Sequence, residues 1–226
     1  MSDLDFAVLG VTPDPYAAAP TLLFKLKIDE TTGQAVHSVS LRCQIRIEPQ
    51  KRRYAPAEEE RLLAIFGETP RWGDTLKPFL WTHAMTMVAG FTGTTEVDVP
   101  VPCTYDFEVA AAKYLHALDD GDVPLVLLFN GTIFSAAGVE PVPWHKESHV
   151  KMPAAVWRQL MDLYFPNSGW IRLRRDTLDD LERFKAERAL PTWEQAIEAL
   201  LKESEGPSGP LSGVEGPSGP LSGVDG

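Results

Sequence analysis

Only two cysteines, Cys43 and Cys103, occur in the 226 residues, too few for a disulfide scaffold. No run approaches the roughly 20 apolar residues that carry a helix across a bilayer. The start, MSDLDFAVLG, is acidic and lacks a basic segment followed by an apolar one, so no secretory signal is expected. The chain also has no Gly-x-Gly-x-x-Gly or Gly-x-x-x-x-Gly-Lys loop, no Gly-x-Ser-x-Gly elbow and no Cys-x-x-Cys pair. Nucleotide binding, serine-hydrolase chemistry and a close-spaced zinc pair therefore have no motif behind them. Together these absences predict a soluble cytoplasmic protein that uses no cofactor.

Base is also scarce. The formal charge is −11, and no Lys or Arg follows Lys202 while Glu203, Glu205, Glu215 and Asp225 do. Without that end, 28 acids stand against 21 bases, a poor balance for gripping a phosphate backbone. The one basic concentration, Arg42, Arg46, Lys51, Arg52 and Arg53, is followed at once by Glu58 to Glu60 and reads as local pairing. Neither a nucleic acid nor a membrane is an expected partner.

What is present is pattern. Hydrophobic residues make up 44% of the chain, enough for a real core. In TLLFKLKI and VSLRCQIRI, apolar and polar residues alternate, the mark of strands with one buried and one wet face. DETTGQ between them supplies turn residues, so the two are expected to form a hairpin. FAVLGVTP and FLWTHAMTMV read as further strands, EVDVPVPCTYDFEV as a bent or edge strand, and VPLVLLFNGTIF as a central one. PAEEERLLAIFG has proline at its start, glutamates in its first turn and glycine at its end, predicting a short inserted helix. Helices are predicted for PAAVWRQLMDLYF, TLDDLERFKAER and PTWEQAIEALL, the last with Thr192 and Gln195 at capping-box spacing.

Strands first and helices afterwards predict an α+β fold: an antiparallel β-sandwich, immunoglobulin-like in style, with a C-terminal helical extension. The expected divisions are a sandwich over 1–150, helices packed on it over 151–203, and a tail over 204–226. In that tail GPSGPLSGVE is followed by GPSGPLSGVD, with glycine spacings of 3 and 4. Collagen needs glycine at every third residue, so the tail reads as a disordered tether.

Several stretches taken together, LRCQIRIEPQKRRY, FLWTHAMTMVAGFTGTTEVDVPVPCTYDFEVAAAKYLHAL, VPLVLLFNGTIF, VEPVPWHKE and YFPNSGWIRL, resemble an uncharacterised actinobacterial domain family of unknown function, over roughly residues 5–201. The resemblance implies a genomic setting beside uptake [NiFe]-hydrogenase genes and their maturation factors. It assigns no residue a role.

Candidate chemistry is sparse. Cys43 and Cys103 fall on the apolar sides of their strands and read as core residues. His145 and His149, four apart in PWHKESH, are the metal candidates, with His83 or His116 as a third ligand; on this alternative the protein is a nickel or zinc carrier or a metal-dependent hydrolase. His83 alternates with Phe79, Trp81 and Met85, which predicts a core or interface histidine. Glu96, Asp98, Asp106 and Glu108 line one side of a strand, and Arg42 and Arg46 one side of another. They are partner-binding candidates unless the two strands are neighbours, in which case they pair with each other. Trp144, Trp157, Tyr164, Phe165 and Trp170 are expected at the seam between sheet and helices. The expected function is that of a non-enzymatic accessory or scaffold protein binding another protein, in hydrogenase maturation or assembly.

Overall fold

The computed structural model describes residues 2–104, 106, 109–166 and 172–204. Glu108, Trp170 and the repeat tail from Glu205 onward lie outside the described residues. The chain divides into two compact units, Met1–Arg172 and Leu173–Gly226.

The first unit is a two-sheet sandwich. Strands β1 (Leu4–Pro13), β2 (Thr21–Glu30) and β5 (Thr94–Pro102) form one sheet in the order β1-β2-β5. The second sheet runs β4-β3-β6-β7, from β4 (Phe79–Thr92), β3 (Ala35–Ile47), β6 (Asp122–Ser135) and β7 (Gly138–Pro141), and β8 (Glu147–Pro153) also pairs with β6. Every pairing is antiparallel. The inner faces meet in one core, with Phe6 stacked on Phe129 at 4.4 Å between ring centres. Each large apolar side chain buried there contributes about 1.5–3 kcal/mol.

The expected hairpin of β2 and β3 does not form: these strands lie in different sheets. The turn exists, but it crosses the sandwich. The Glu30 carboxylate organises it, accepting the backbone N–H groups of Asp3, Thr32 and Gln34 and the Thr32 hydroxyl. Burial alone would raise its pKa, yet these bonds hold it below the usual carboxylate range. A second crossing, from β4 to β5, is made at Gly93, whose φ of 74° suits glycine.

The inserted helix α1 (Pro56–Phe66) is followed by a one-turn helix α2 (Trp72–Thr75), and a short helix α3 (Ala110–His116) precedes β6. Helix α4 (Ala154–Tyr164) buries Ala154, Trp157, Leu160 and Met161, the face its spacing predicts. Its Tyr164 hydroxyl donates to the Asp14 and Ala17 carbonyls. In the second unit, α5 (Arg175–Glu187) has no buried residue and α6 (Trp193–Ser204) buries only Ala196. The Thr192 hydroxyl accepts the Gln195 N–H, as the capping spacing requires. No helix among the described residues is long and apolar enough to cross a membrane.

Candidate functional site

The outer face of the five-stranded sheet is built by a register shift in β4. Ile45 pairs with Thr82, but Arg46 pairs with Leu80, so Trp81 is an extra residue, a β-bulge. Because side chains alternate with period two, one extra residue reverses the faces. Before the bulge Phe79 points inward. Beyond it Ala84 and Val88 are the buried residues, and Met85 and Met87 turn outward with 63% of their surface exposed. His83 turns out with them and is exposed. Of the two expectations for this residue, the core histidine was an extrapolation of the Phe79–Trp81 phase across the bulge and is overturned; the exposed side chain leaves the interface one.

Cross-strand partners share a face, so the register names this surface. Met85, Arg42 and Asn130 form one row, Met87, Ser40, Thr132 and Pro141 another. A shallow cavity of about 390 Å³ opens between them, lined by Ser40, Arg42, Met85, Asn130 and Thr132 among others. Phe134 and Val139 are exposed beside it. Strands β3 and β4 carry no Asp or Glu, and Glu140 of β7 lies opposite the buried Ile133; outward acids of this sheet stand further off, Asp122 at the start of β6 and Glu147 opposite Leu128 on β8. Among the described residues, the Arg42 guanidinium has neither an ion pair nor a hydrogen bond. Arg46, on the same face, donates to the Pro78 carbonyl at 3.3 Å. The face is thus cationic and partly apolar on a chain of net charge −11.

Of the acids singled out from sequence, Glu96 and Asp98 lie on the other sheet, Asp106 follows its strand β5, and Glu108 lies outside the described residues. Strand β5 pairs with β2, not β3, so Glu96 faces Lys27 and Asp98 faces Lys25. The Lys25–Asp98 contact is 3.2 Å, an exposed pair of a few tenths to 1 kcal/mol. The Asp106 N–H donates to the Thr104 hydroxyl at 3.1 Å. The structure therefore sets Glu96 and Asp98 against lysines of β2 and not against Arg42 or Arg46. Burial pushes the Cys43 and Cys103 thiols up to about 12, so neither is a thiolate near neutral pH.

The two candidate metal histidines sit on a turn and a strand, not on one helix face. His145 packs edge-on to Trp144. His149 lies on β8, with Nδ1 3.3 Å from Glu48 and Nε2 3.4 Å from Glu147. The buried Glu48 also holds Lys51 at 2.8 Å, beside a cleft of about 360 Å³. Among the described residues, no three His, Cys, Asp or Glu side chains are grouped to hold a metal ion. Of the aromatic seam, Trp157, Tyr164 and Phe165 pack on the core, whereas Trp144 is 88% exposed. Missed from sequence were Met85, Met87, Phe134 and Val139; the readable signal was a strand, FLWTHAMTMVAGFT, with no Lys, Arg, Asp or Glu.

A family-wide sequence profile, described as Family of unknown function (DUF6084), matches residues 1–208. The chain belongs to this family. No curated protein matches this DUF6084 chain. Among solved structures, it is similar to the CARDB domain of a Pyrococcus furiosus protein, crystallised with di-metal ions (8% identity, TM-score 0.27, 67% of this chain and 91% of that one). It is similar to the putative ApaA protein of Bordetella pertussis (13% identity, TM-score 0.27, 67% and 94%). A Kluyveromyces marxianus β-glucosidase matches at 7% identity and TM-score 0.26, over 67% of this chain and 15% of the enzyme. Likeness at this level transfers no activity to the DUF6084 chain.

Proposed function

We propose that this chain is a non-enzymatic accessory protein that holds another protein on the outer face of its five-stranded sheet. The observation that carries the reading is Arg42. A guanidinium with no partner among the described residues is flanked by the exposed Met85 and the Asn130 side chain, and the strands β3 and β4 beside it carry no Asp or Glu. Arginine recognises carboxylates bidentately, and methionine adapts to an apolar neighbour. The partner this chemistry suits is a protein segment bearing carboxylates among apolar side chains. The resemblance to an actinobacterial family with hydrogenase gene neighbours makes cytoplasmic [NiFe]-hydrogenase subunits and maturation factors the first candidates.

Affinity purification from the native host with the wild-type chain and with Arg42→Glu tests this. The wild type is expected to retain a partner that Arg42→Glu loses by about tenfold in affinity or more, equivalent to ~1.4 kcal/mol. An unchanged set of captured proteins with a folded Arg42→Glu chain would overturn the face. Capture without any hydrogenase component would overturn that choice of partner.

A further inference from the structure

The described sheet edges are not alike. The β1 edge is tied down: the Val8 N–H donates to the Ser148 hydroxyl, and Lys146 bridges Asp3 and Asp5. Strand β5 carries Pro100 and Pro102 together with Glu96 and Asp98, residues that discourage another strand from adding. The far side of β6 is covered by β7 and β8. Strand β4 is covered at its start, where Trp81 and Thr82 line a cavity with Pro102, Cys103, Ala111 and Trp157, but beyond the bulge it has none of these protections. It spans 14 residues without a proline or a formally charged side chain, and among the described residues it pairs only with β3.

We propose that β4 is the seam of a homodimer, in which two chains pair antiparallel, edge to edge, about a two-fold axis at Thr86. An antiparallel pairing of identical strands about that residue sets Met85 opposite the partner's Met87 and Met87 opposite the partner's Met85. On the inner face it sets Ala84 opposite the partner's Val88. From Thr82 to Gly90 every residue meets one on the same face, because pairing about a residue preserves the period-two alternation, and the two methionines of each face meet each other. Two copies of a chain of charge −11 repel, and β4 is the strand edge that brings no like charges into contact. The same interface is used twice, as a closed two-fold requires. The Trp81 bulge is what turns Met85 and Met87 to the outside, so sequence periodicity alone would have hidden both. The seam does not depend on partner binding at Arg42; it joins two such faces into one continuous sheet.

A seam of one strand pair is small beside stable interfaces of roughly 1,200–2,000 Å², so the dimer is expected to be concentration-dependent, with a Kd in the micromolar range. Sedimentation velocity over about 1–300 µM reads it. The wild-type mass is expected to double across the range. Met85→Lys/Met87→Lys, altering two side chains that are largely exposed, is expected to stay monomeric with an unchanged melting temperature. Mixing it with Met85→Glu/Met87→Glu is expected to restore a mixed dimer. Thr86→Cys is expected to cross-link to itself under mild oxidation, since paired Cα atoms 4.5–5.5 Å apart suit a disulfide. A wild type monomeric throughout, a dimer untouched by the lysine pair, or no Thr86→Cys cross-link in a dimeric sample would each overturn the proposal. Capture of a partner protein by a chain that stays monomeric would sink the seam and leave the Arg42 face standing.

Discussion

Glu58 fastens α1 to the sandwich, and its removal has a calculable consequence. Its carboxylate accepts Arg52 Nη2 at 2.9 and 3.1 Å, the Ala55 N–H at 2.9 Å and the Asp119 N–H at 2.9 Å. The side chains of Arg52 and Glu58 are 9% and 4% exposed, so water cannot replace the partners easily. Breaking a buried pair by removing one member costs about 3–5 kcal/mol. Arg52 keeps the carbonyls of Arg53, Asp120 and Asp122, which places Glu58→Ala at the lower end of that range. The two orphaned backbone donors add about 1 kcal/mol each. The expected loss is therefore about 4–5 kcal/mol, and at about 2–4 °C per kcal/mol for a unit of this size the melting temperature falls by roughly 8–20 °C. Calorimetry of the main transition measures it. Arg52→Met/Glu58→Leu removes both charges and is expected to recover more than half the loss. A Glu58→Ala loss below about 1 kcal/mol, or a double variant no better than the single one, would refute the assignment of α1 docking to a buried charge.

Three further outcomes follow from local geometry. At Gly131, φ is 152° and an added Cβ would lie 2.1 Å from the Ser40 carbonyl oxygen, so Gly131→Ala is expected to cost about 3 kcal/mol or more in denaturant unfolding; a near-neutral result would mean the β3–β6 register is wrong there. Glu30, whose folded pKa is lowered, contributes stability above the ordinary carboxyl value and loses it as pH falls through the folded one. Glu30→Gln should therefore be less stable than wild type at pH 7, and the gap should close in unfolding curves taken below roughly pH 4. Cys43 and Cys103, raised to about 12 by burial, should resist iodoacetamide at pH 8 until denaturant is added, as mass spectrometry would reveal.

Much of the fold was legible because one-dimensional pattern maps directly onto one buried face. The strands of TLLFKLKI and VSLRCQIRI, the helix of PAEEERLLAIFG and the apolar face of α4 stand where alternation and capping put them. The placement of β2 beside β3 failed because a turn signal marks a reversal and says nothing about which sheet the chain enters next. The face of His83 failed because a bulge leaves no trace in composition, yet shifts the phase of every residue after it. The site was hardly legible at all. Arg42 is an ordinary outward arginine in its strand; the role proposed for it rests on its neighbours Met85 and Asn130, which belong to strands distant in sequence.

The amino-acid sequence by itself determined the class of the fold, the inward position of Cys43, and the absence of familiar catalytic loops, since each depends on residues close together in the chain. Tertiary structure alone decided that the acids of β5 meet lysines of β2, that Arg42 stands on the opposite sheet, and that β4 pairs only with β3 among the described residues. Strand neighbours are chosen by the summed burial of whole faces, a long-range quantity that no local pattern encodes.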